Sequence, residues 1–130
     1  MKVVINALGA SMGGAYRHLT NFLPALGAWD PRSSYQLLVR SSLSLPVCAV
    51  PSNVGVVRVH DAVASNPALR LFFDVAWLPA QLRREGADIA VSLTNFGPIW
   101  AGVPHVLFQR NAIYYSGISK RFGPEVCFRR

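Results

Sequence analysis

Cysteine, acidic residues and long apolar runs are all scarce in this sequence. Its 130 residues include only two cysteines, Cys48 and Cys127, which are too few for a disulfide framework and lack metal-ligand spacing. No uninterrupted apolar run reaches the roughly 18 residues that a membrane-spanning helix needs. These shortages argue against a disulfide-stabilised secreted protein and against an integral membrane protein, and they favour a cytoplasmic location.

The amino terminus superficially resembles a short secretory signal, because Lys2 precedes an apolar stretch that is followed by small residues. Asn6 interrupts that stretch, however, and Lys2 is its one positive charge. We therefore favour a buried first strand over a signal peptide.

The shortage of acidic residues leaves a net charge of +7, from 13 basic and 6 acidic residues. Five of the basic residues and only Glu125 of the acidic ones lie in residues 110–130. Such a charge suits a phosphorylated substrate or an anionic membrane surface at the inner face of the membrane, and the alternative is a solvated face. A nucleic-acid partner is not expected, because the chain has no recognition motif and its other arginines are dispersed.

Apolar residues are abundant at 52%, against 15% charged, which indicates one folded domain over residues 1–130. Apolar strands alternate with helical patterns, an order that predicts βαβ units. The predicted class is α/β, with a Rossmann-like parallel sheet and helices on both faces. The strands are predicted at Met1–Leu8, Tyr35–Val39, Val54–Val59, Ala87–Leu93 and Val103–Phe108, with a loop over 41–53.

The first helix is predicted over Ala15–Ala28, where Pro24 should kink or shorten it. A second helix should follow Asn66, a capping residue with Pro67 behind it, and run to Arg84. Its predicted inward residues are Leu69, Phe72, Phe73 and Ala76, and Pro79 should produce another kink.

The turn between the first strand and first helix contains Gly13 and Gly14, which would let backbone N–H groups approach a phosphate. The alternative is that these glycines only make the turn and let the helix approach the sheet. The turn is not a P-loop and lacks G-x-G-x-x-G spacing. Because Arg40 after the second strand would suit a 2′-phosphate, an NADP-binding domain remains an alternative.

Polar residues follow two later strands, where the carboxyl ends of parallel strands meet. Asn95, Gln109 and Asn111 could bind sugar hydroxyls, while aromatic rings, namely Phe96, Trp100, Tyr114 and Tyr115, could pack against a sugar ring. The alternative is that the amides bond to loop backbone and the rings pack internally. The three histidines are scattered and the acidic residues dispersed, so no metal is expected.

The order of these motifs resembles the amino-terminal domain of family 4 glycosyltransferases over nearly the whole chain. The resemblance is carried by Lys2-Val3-Val4-Ile5-Asn6-Ala7, Gly13-Gly14, Asn21-Phe22-Leu23-Pro24-Ala25-Leu26, Leu78-Pro79, Gly86-Ala87-Asp88, Ser92-Leu93-Thr94-Asn95-Phe96-Gly97-Pro98 and Gln109-Arg110-Asn111-Ala112. It implies one half of a two-domain GT-B enzyme, which transfers a sugar from a nucleotide-sugar donor to an acceptor with retention and without a metal or other cofactor.

The resemblance also implies roles for particular residues. Gly13 and Gly14 would approach the leaving diphosphate, and Asn95, Phe96 and the Gln109-Arg110-Asn111 run would contact the acceptor or its sugar. Arg110 stands where many members have a histidine, so no catalytic residue is assigned. We expect a fragment that lacks the carboxy-terminal nucleotide-sugar domain, and the alternative is a stand-alone nucleotide-binding module.

Overall fold

A computed structural model describes residues 1–46, 50–93 and 95–108 of the chain, and the strands in it form one parallel sheet. The sheet has five strands in the order β3-β2-β1-β4-β5, and all four neighbouring pairs run parallel. The predicted α/β class with a Rossmann-like sheet is thereby confirmed. The strands are β1 (Lys2–Asn6), β2 (Ser34–Arg40), β3 (Val54–Val59), β4 (Ile89–Ser92) and β5 (His105–Leu107).

Strand β1 lies at the centre because its consecutive apolar residues are covered on both faces of the sheet. Val3 and Ile5 face one layer of helix, and Val4 faces the other. The chain places β2 and β3 on one side of β1, then crosses over and places β4 and β5 on the other. The strand order therefore reverses between β1 and β4, which is the switch point where open α/β sheets bind ligands.

Helix α1 (Gly13–Trp29) covers one face of the sheet with the apolar side chains along one side of the helix. Leu19 and Leu23 are fully buried, and Leu26 is partly buried against the same cluster. The helix begins at Gly13, two residues earlier than predicted, and continues through Pro24, so the expected shortening was wrong. Leu23 and Leu26 flank the proline and pack on the sheet, and their burial offsets the lost backbone hydrogen bond.

The other face is covered by a chain of helical segments between β3 and β4. They are α2 (Ala62–Ser65), α3 (Pro67–Phe72), a π-helical turn (Phe73–Trp77) and α4 (Leu78–Arg84). The predicted start of the second helix is confirmed, since the Asn66 side chain accepts hydrogen bonds from the N–H groups of Ala68 and Leu69. Among the described residues, no helix is long and apolar enough to cross a membrane.

The predicted inward face of this second helical stretch is wrong at three of its four positions. Phe73 is buried, but Leu69 and Phe72 are 43% and 62% exposed, and Ala76 is exposed as well. The stretch instead buries Phe73, Asp74, Leu78 and Leu82, and it contains a π-helical turn in which the N–H of Leu78 donates to the carbonyl of Phe73, five residues earlier. Leu69 and Phe72 precede that turn and border an open depression beside the edge strand β3, so they are not covered by the sheet.

Candidate functional site

Three segments leave the carboxyl edge of the sheet side by side, after β1, β4 and β5. The Leu93 N–H donates to the Asn6 carbonyl, and the Phe108 N–H donates to the Ser92 carbonyl, each at 2.9 Å. The rings of Phe108 and His18, on α1, lie 6.5 Å apart. The edge of the sheet thus brings together the described segments that follow β1, β4 and β5.

Gly13 and Gly14 form the first turn of α1 and are both exposed, but they differ in backbone conformation. Gly13 has a φ of +62°, a conformation that side chains disfavour, so the turn itself accounts for a glycine there. Gly14 has no such φ, and an added Cβ at either position would meet nothing within 4 Å. Neither turn geometry nor close packing on the sheet therefore explains Gly14.

The two glycines line an open depression of about 550 Å³ together with Tyr16, Arg17 and Thr20. The Tyr16 hydroxyl donates to the Ser44 carbonyl at 3.0 Å, and the Thr20 hydroxyl donates to carbonyls of its own helix. Arg17 is the charged residue of the depression, and no described carboxylate forms an ion pair with it. The position of Arg17 beside the glycines was not predicted from the sequence.

Of the other predicted residues, Asn95 and Phe96 follow β4, next to the strand that leads to the glycines. Asn95 is half-buried, whereas Phe96 and Trp100 are 61% and 76% exposed, so their rings are open to contact. Gln109, Arg110 and Asn111 lie outside the described residues, as do Tyr114, Tyr115 and both cysteines. In the described part, no group of three or more metal-binding side chains occurs.

Asn6, at the carboxyl end of β1, is a buried polar residue that sequence reasoning missed. It is 2% exposed, and its Oδ1 atom accepts a hydrogen bond from the Leu8 N–H at 3.3 Å. Its Nδ2 atom is buried and has no hydrogen-bond partner among the described residues. The sequence pattern that could have identified Asn6 is an amide side chain at the end of an otherwise apolar strand. Its Nδ2 atom is a hydrogen-bond donor that no described residue satisfies, next to the switch point.

Ser92 and His105 form a second polar feature next to Asn6, which pairs in register with Ser92. The Nε2 atom of His105 lies 3.0 Å from the Ser92 hydroxyl. Burial lowers the pKa of His105 below its usual value, and the negative charge of Asp74 partly opposes that shift. The ring is therefore neutral at pH 7, where one of its nitrogens donates and the other accepts.

Arg40 ends β2, where an NADP-binding domain would hold the 2′-phosphate. Its Nε atom donates to the Leu8 carbonyl at 2.8 Å. Burial would raise the pKa of nearby Asp61, but hydrogen bonds from Ser42 and the charge of Arg40 outweigh it, so the pKa is lowered. A carboxylate thus stays ionised near Arg40, and its charge opposes a phosphate there.

Comparison with known proteins gives one partial likeness. A UPF0182 protein of Mycobacteroides abscessus is 33% identical over 88 residues, which is 68% of this chain but only 8% of that protein. The chain therefore matches a small part of that relative, whose name describes no activity. No protein-family profile and no solved structure matches the chain.

Proposed function

We propose that this chain is the acceptor-side domain of a retaining glycosyltransferase with GT-B architecture, in which the first turn of α1 faces the leaving diphosphate of a nucleotide-sugar donor. The observation that carries the proposal is Gly14. It lies in open space at the start of a long helix, in a conformation that any residue adopts, beside Arg17, which forms no ion pair with a described carboxylate. A ligand that approaches the backbone closely accounts for a glycine there.

The start of α1 has the electrostatic properties that this role needs. The first backbone N–H groups of a helix have no partner within it, and they carry partial positive charge. Met12 precedes the helix without a capping side chain, and the first turn contains no acidic residue. A diphosphate at this point would accept hydrogen bonds from those N–H groups and lie near the positive charge of Arg17. Both interactions would stabilise the negative charge that develops on the diphosphate as its bond to the sugar breaks.

The acceptor would lie along the segments after β4 and β5. The exposed ring of Phe96 offers an apolar face for a sugar, and Asn95 follows the same strand. We assign Gln109, Arg110 and Asn111 to the same side of the site, on the family resemblance alone. A second domain would hold most of the nucleotide, and no bound metal or cofactor takes part in the proposal.

Ligand titrations followed by ¹H–¹⁵N NMR test the diphosphate contact. UDP and GDP should bind weakly, because the proposed second domain holds most of the nucleotide, and should shift the amide signals of Gly13 and Gly14. Uridine, which lacks phosphate, should not. Gly14→Val should abolish these shifts because its side chain occupies the space of the phosphate.

Gly55→Val is the matched control, since Gly55 lies in β3 and an added Cβ there would make only an ordinary contact, 3.8 Å from the Tyr35 carbonyl. The control should bind as the unchanged chain does. Equal shifts in the Gly14→Val chain would remove the glycine turn from the site. An open reading frame downstream of codon 130 that encodes a second βαβ half would give the proposal independent support.

The alternative is a stand-alone NADP-binding module, and the position of Arg40 at the end of β2 favours it. Asp61 opposes it, because its carboxylate is ionised and close enough to Arg40 for the charges to interact. Tight binding of NADP that is lost in an Arg40→Gln variant would replace the glycosyltransferase proposal with this one.

A further inference from the structure

Gly97 lies in the segment after β4 and has almost no room for a side chain. A Cβ atom there would lie 2.5 Å from Cε1 of His105, 2.7 Å from the Ser92 hydroxyl oxygen and 2.8 Å from Nε2 of His105. The φ of Gly97 is not in the left-handed region, so its backbone conformation does not require glycine. Close contact with the Ser92–His105 pair is what demands it.

The two strands build this pair from residues that are not register partners. Ser92 ends β4 and stands opposite Leu107, whereas His105 begins β5 and stands opposite Ala90. Because register neighbours share a face, the His105 ring lies on the face of Ala90 and Ser92. It extends toward the carboxyl edge and reaches the Ser92 hydroxyl, which is 1% exposed.

The two residues that flank Gly97 differ in exposure. Phe96, directly before Gly97, is 61% exposed, while Pro98, directly after it, is buried. The backbone of Gly97 therefore lies on the Ser92–His105 pair while the neighbouring aromatic ring extends into solvent. The exposed Phe96 side chain thus follows a backbone that packs on the partly buried Ser92–His105 hydrogen bond.

We propose that Ser92 and His105 are positioning residues of the candidate site, and that their hydrogen-bonded pair supports Gly97 and so holds the Phe96 ring where a sugar binds. The inference rests on the proposed function for the role of Phe96. Neither residue touches the ligand. Their contribution is to order the Phe96 segment before binding, which reduces the entropy that is lost when the complex forms.

Two substitutions disturb the contact between Gly97 and the Ser92–His105 pair in different ways. Ser92→Ala removes the hydroxyl, so the His105 ring loses its partner and Gly97 loses part of its support. Gly97→Ala leaves the pair intact but places a Cβ atom against it, so the segment must move away. His105→Gln is the conservative variant, because an amide can still bond to the Ser92 hydroxyl.

The first measurement needs no ligand. Backbone ¹⁵N relaxation should show increased motion at Phe96 in the Ser92→Ala chain, and little change in the His105→Gln chain. Gly97→Ala should displace the Phe96 amide signal. Combining it with His105→Ala removes the imidazole that the new methyl group would meet and leaves only the Ser92 hydroxyl, so the displacement should become smaller. Unchanged relaxation at Phe96 in the Ser92→Ala chain would overturn the inference, whether or not the proposed function holds.

The second measurement titrates methyl glucoside, a simple sugar probe for the acceptor side, and follows the Phe96 amide. Ser92→Ala and Gly97→Ala should weaken binding about fivefold, a typical cost of ordering one mobile segment, and His105→Gln should bind as the unchanged chain does. If Phe96→Ala weakens binding but Ser92→Ala and Gly97→Ala do not, the positioning role is wrong and the site stands. If methyl glucoside does not shift Phe96 and UDP does not shift Gly14 in the unchanged chain, the proposed function itself fails, and the positioning role in sugar binding fails with it.

Discussion

Gly13 and Gly14 are adjacent, yet a methyl group should have opposite effects on stability at the two positions. Gly13→Ala should lower the free energy of unfolding by about 1 kcal/mol, because a φ of +62° strains any residue with a Cβ. Gly14→Ala should raise it by about 0.5 kcal/mol, because alanine favours the helix and the new methyl group meets only open space. Urea denaturation of the two variants measures both effects.

The Gly14 result separates a structural role from a binding role. A Gly14→Ala chain that is more stable but has lost the UDP-induced shifts would mean that glycine is kept there for the ligand. A Gly14→Ala chain that is clearly destabilised would contradict the open space around Gly14 and would favour a purely structural role.

His105 should make the stability of the folded chain depend on pH. Burial lowers its pKa below the usual value of 6.5, so the folded state binds a proton less readily than the unfolded state. The stability contributed by the neutral ring is complete above pH 6.5 and is lost as pH falls through the lowered pKa. Thermal or urea unfolding between about pH 7 and pH 5 should show this loss.

His105→Gln should flatten the pH dependence in that window without changing the stability lost in stronger acid. The carboxyls with lowered pKa values titrate lower, from usual values of 3.8 for Asp30 and 4.5 for Glu85, because of hydrogen bonds from Ser33 and Lys2 respectively. An unchanged profile in the variant would mean that His105 is equally easy to protonate in both states.

At the scale of elements, two neighbouring phenylalanines in the helical stretch between β3 and β4 differ in burial. Phe73 is 3% exposed and stacks on Trp77 at 4.9 Å between ring centroids, whereas Phe72 is 62% exposed. Phe73→Ala should therefore cost about 3 kcal/mol of unfolding free energy. Phe72→Ala should change it by less than about 0.5 kcal/mol. Chemical denaturation of the two variants is a matched test, and equal losses would refute the assigned register of the helix.

The sequence pattern predicted all five strands because consecutive β-branched and apolar residues, such as Val3, Val4 and Ile5, require burial on both faces. It predicted the start of α3 because Asn66 and Pro67 are local signals that need no tertiary contact. It did not predict the buried face of that helical stretch. The buried face includes Asp74, a charged residue paired with Arg70 at 2.7 Å, and a pattern of apolar residues does not identify such a position.

Like the fold, the candidate site was predicted only in part from the sequence. Gly13 and Gly14 were predicted because a glycine turn between strand and helix is a local pattern; both are exposed, and their binding role stays a prediction. The Ser92–His105 pair was missed because its members are thirteen residues apart and meet only through the strand register. The position of Arg17 beside the glycines was not predicted because the helix was expected to begin at Ala15, whereas it begins at Gly13.

At the scale of the whole molecule, the positive charge is left largely uncompensated by the chain's own carboxylates. The described residues contain eight basic and five acidic side chains, and the two ion pairs among them involve Lys2 and Arg70. Two more carboxylates bond elsewhere: Asp30 to the Tyr35 hydroxyl and Asp61 to the Ser42 hydroxyl. Exposed arginines, including Arg17, Arg83 and Arg84, therefore contribute to a positive surface potential.

This surface should bind anionic membranes through charge alone. The chain should co-sediment with vesicles that contain phosphatidylglycerol at low ionic strength and dissociate as salt is added, because charges are screened beyond about 8 Å at 0.15 M salt. Vesicles of phosphatidylcholine are the neutral control, and an Arg83→Gln, Arg84→Gln chain should bind the anionic vesicles less strongly. Binding that resists salt, or that is equal on neutral vesicles, would require an apolar contact instead, and the exposed rings of Phe72 and Trp100 would then be the residues to replace.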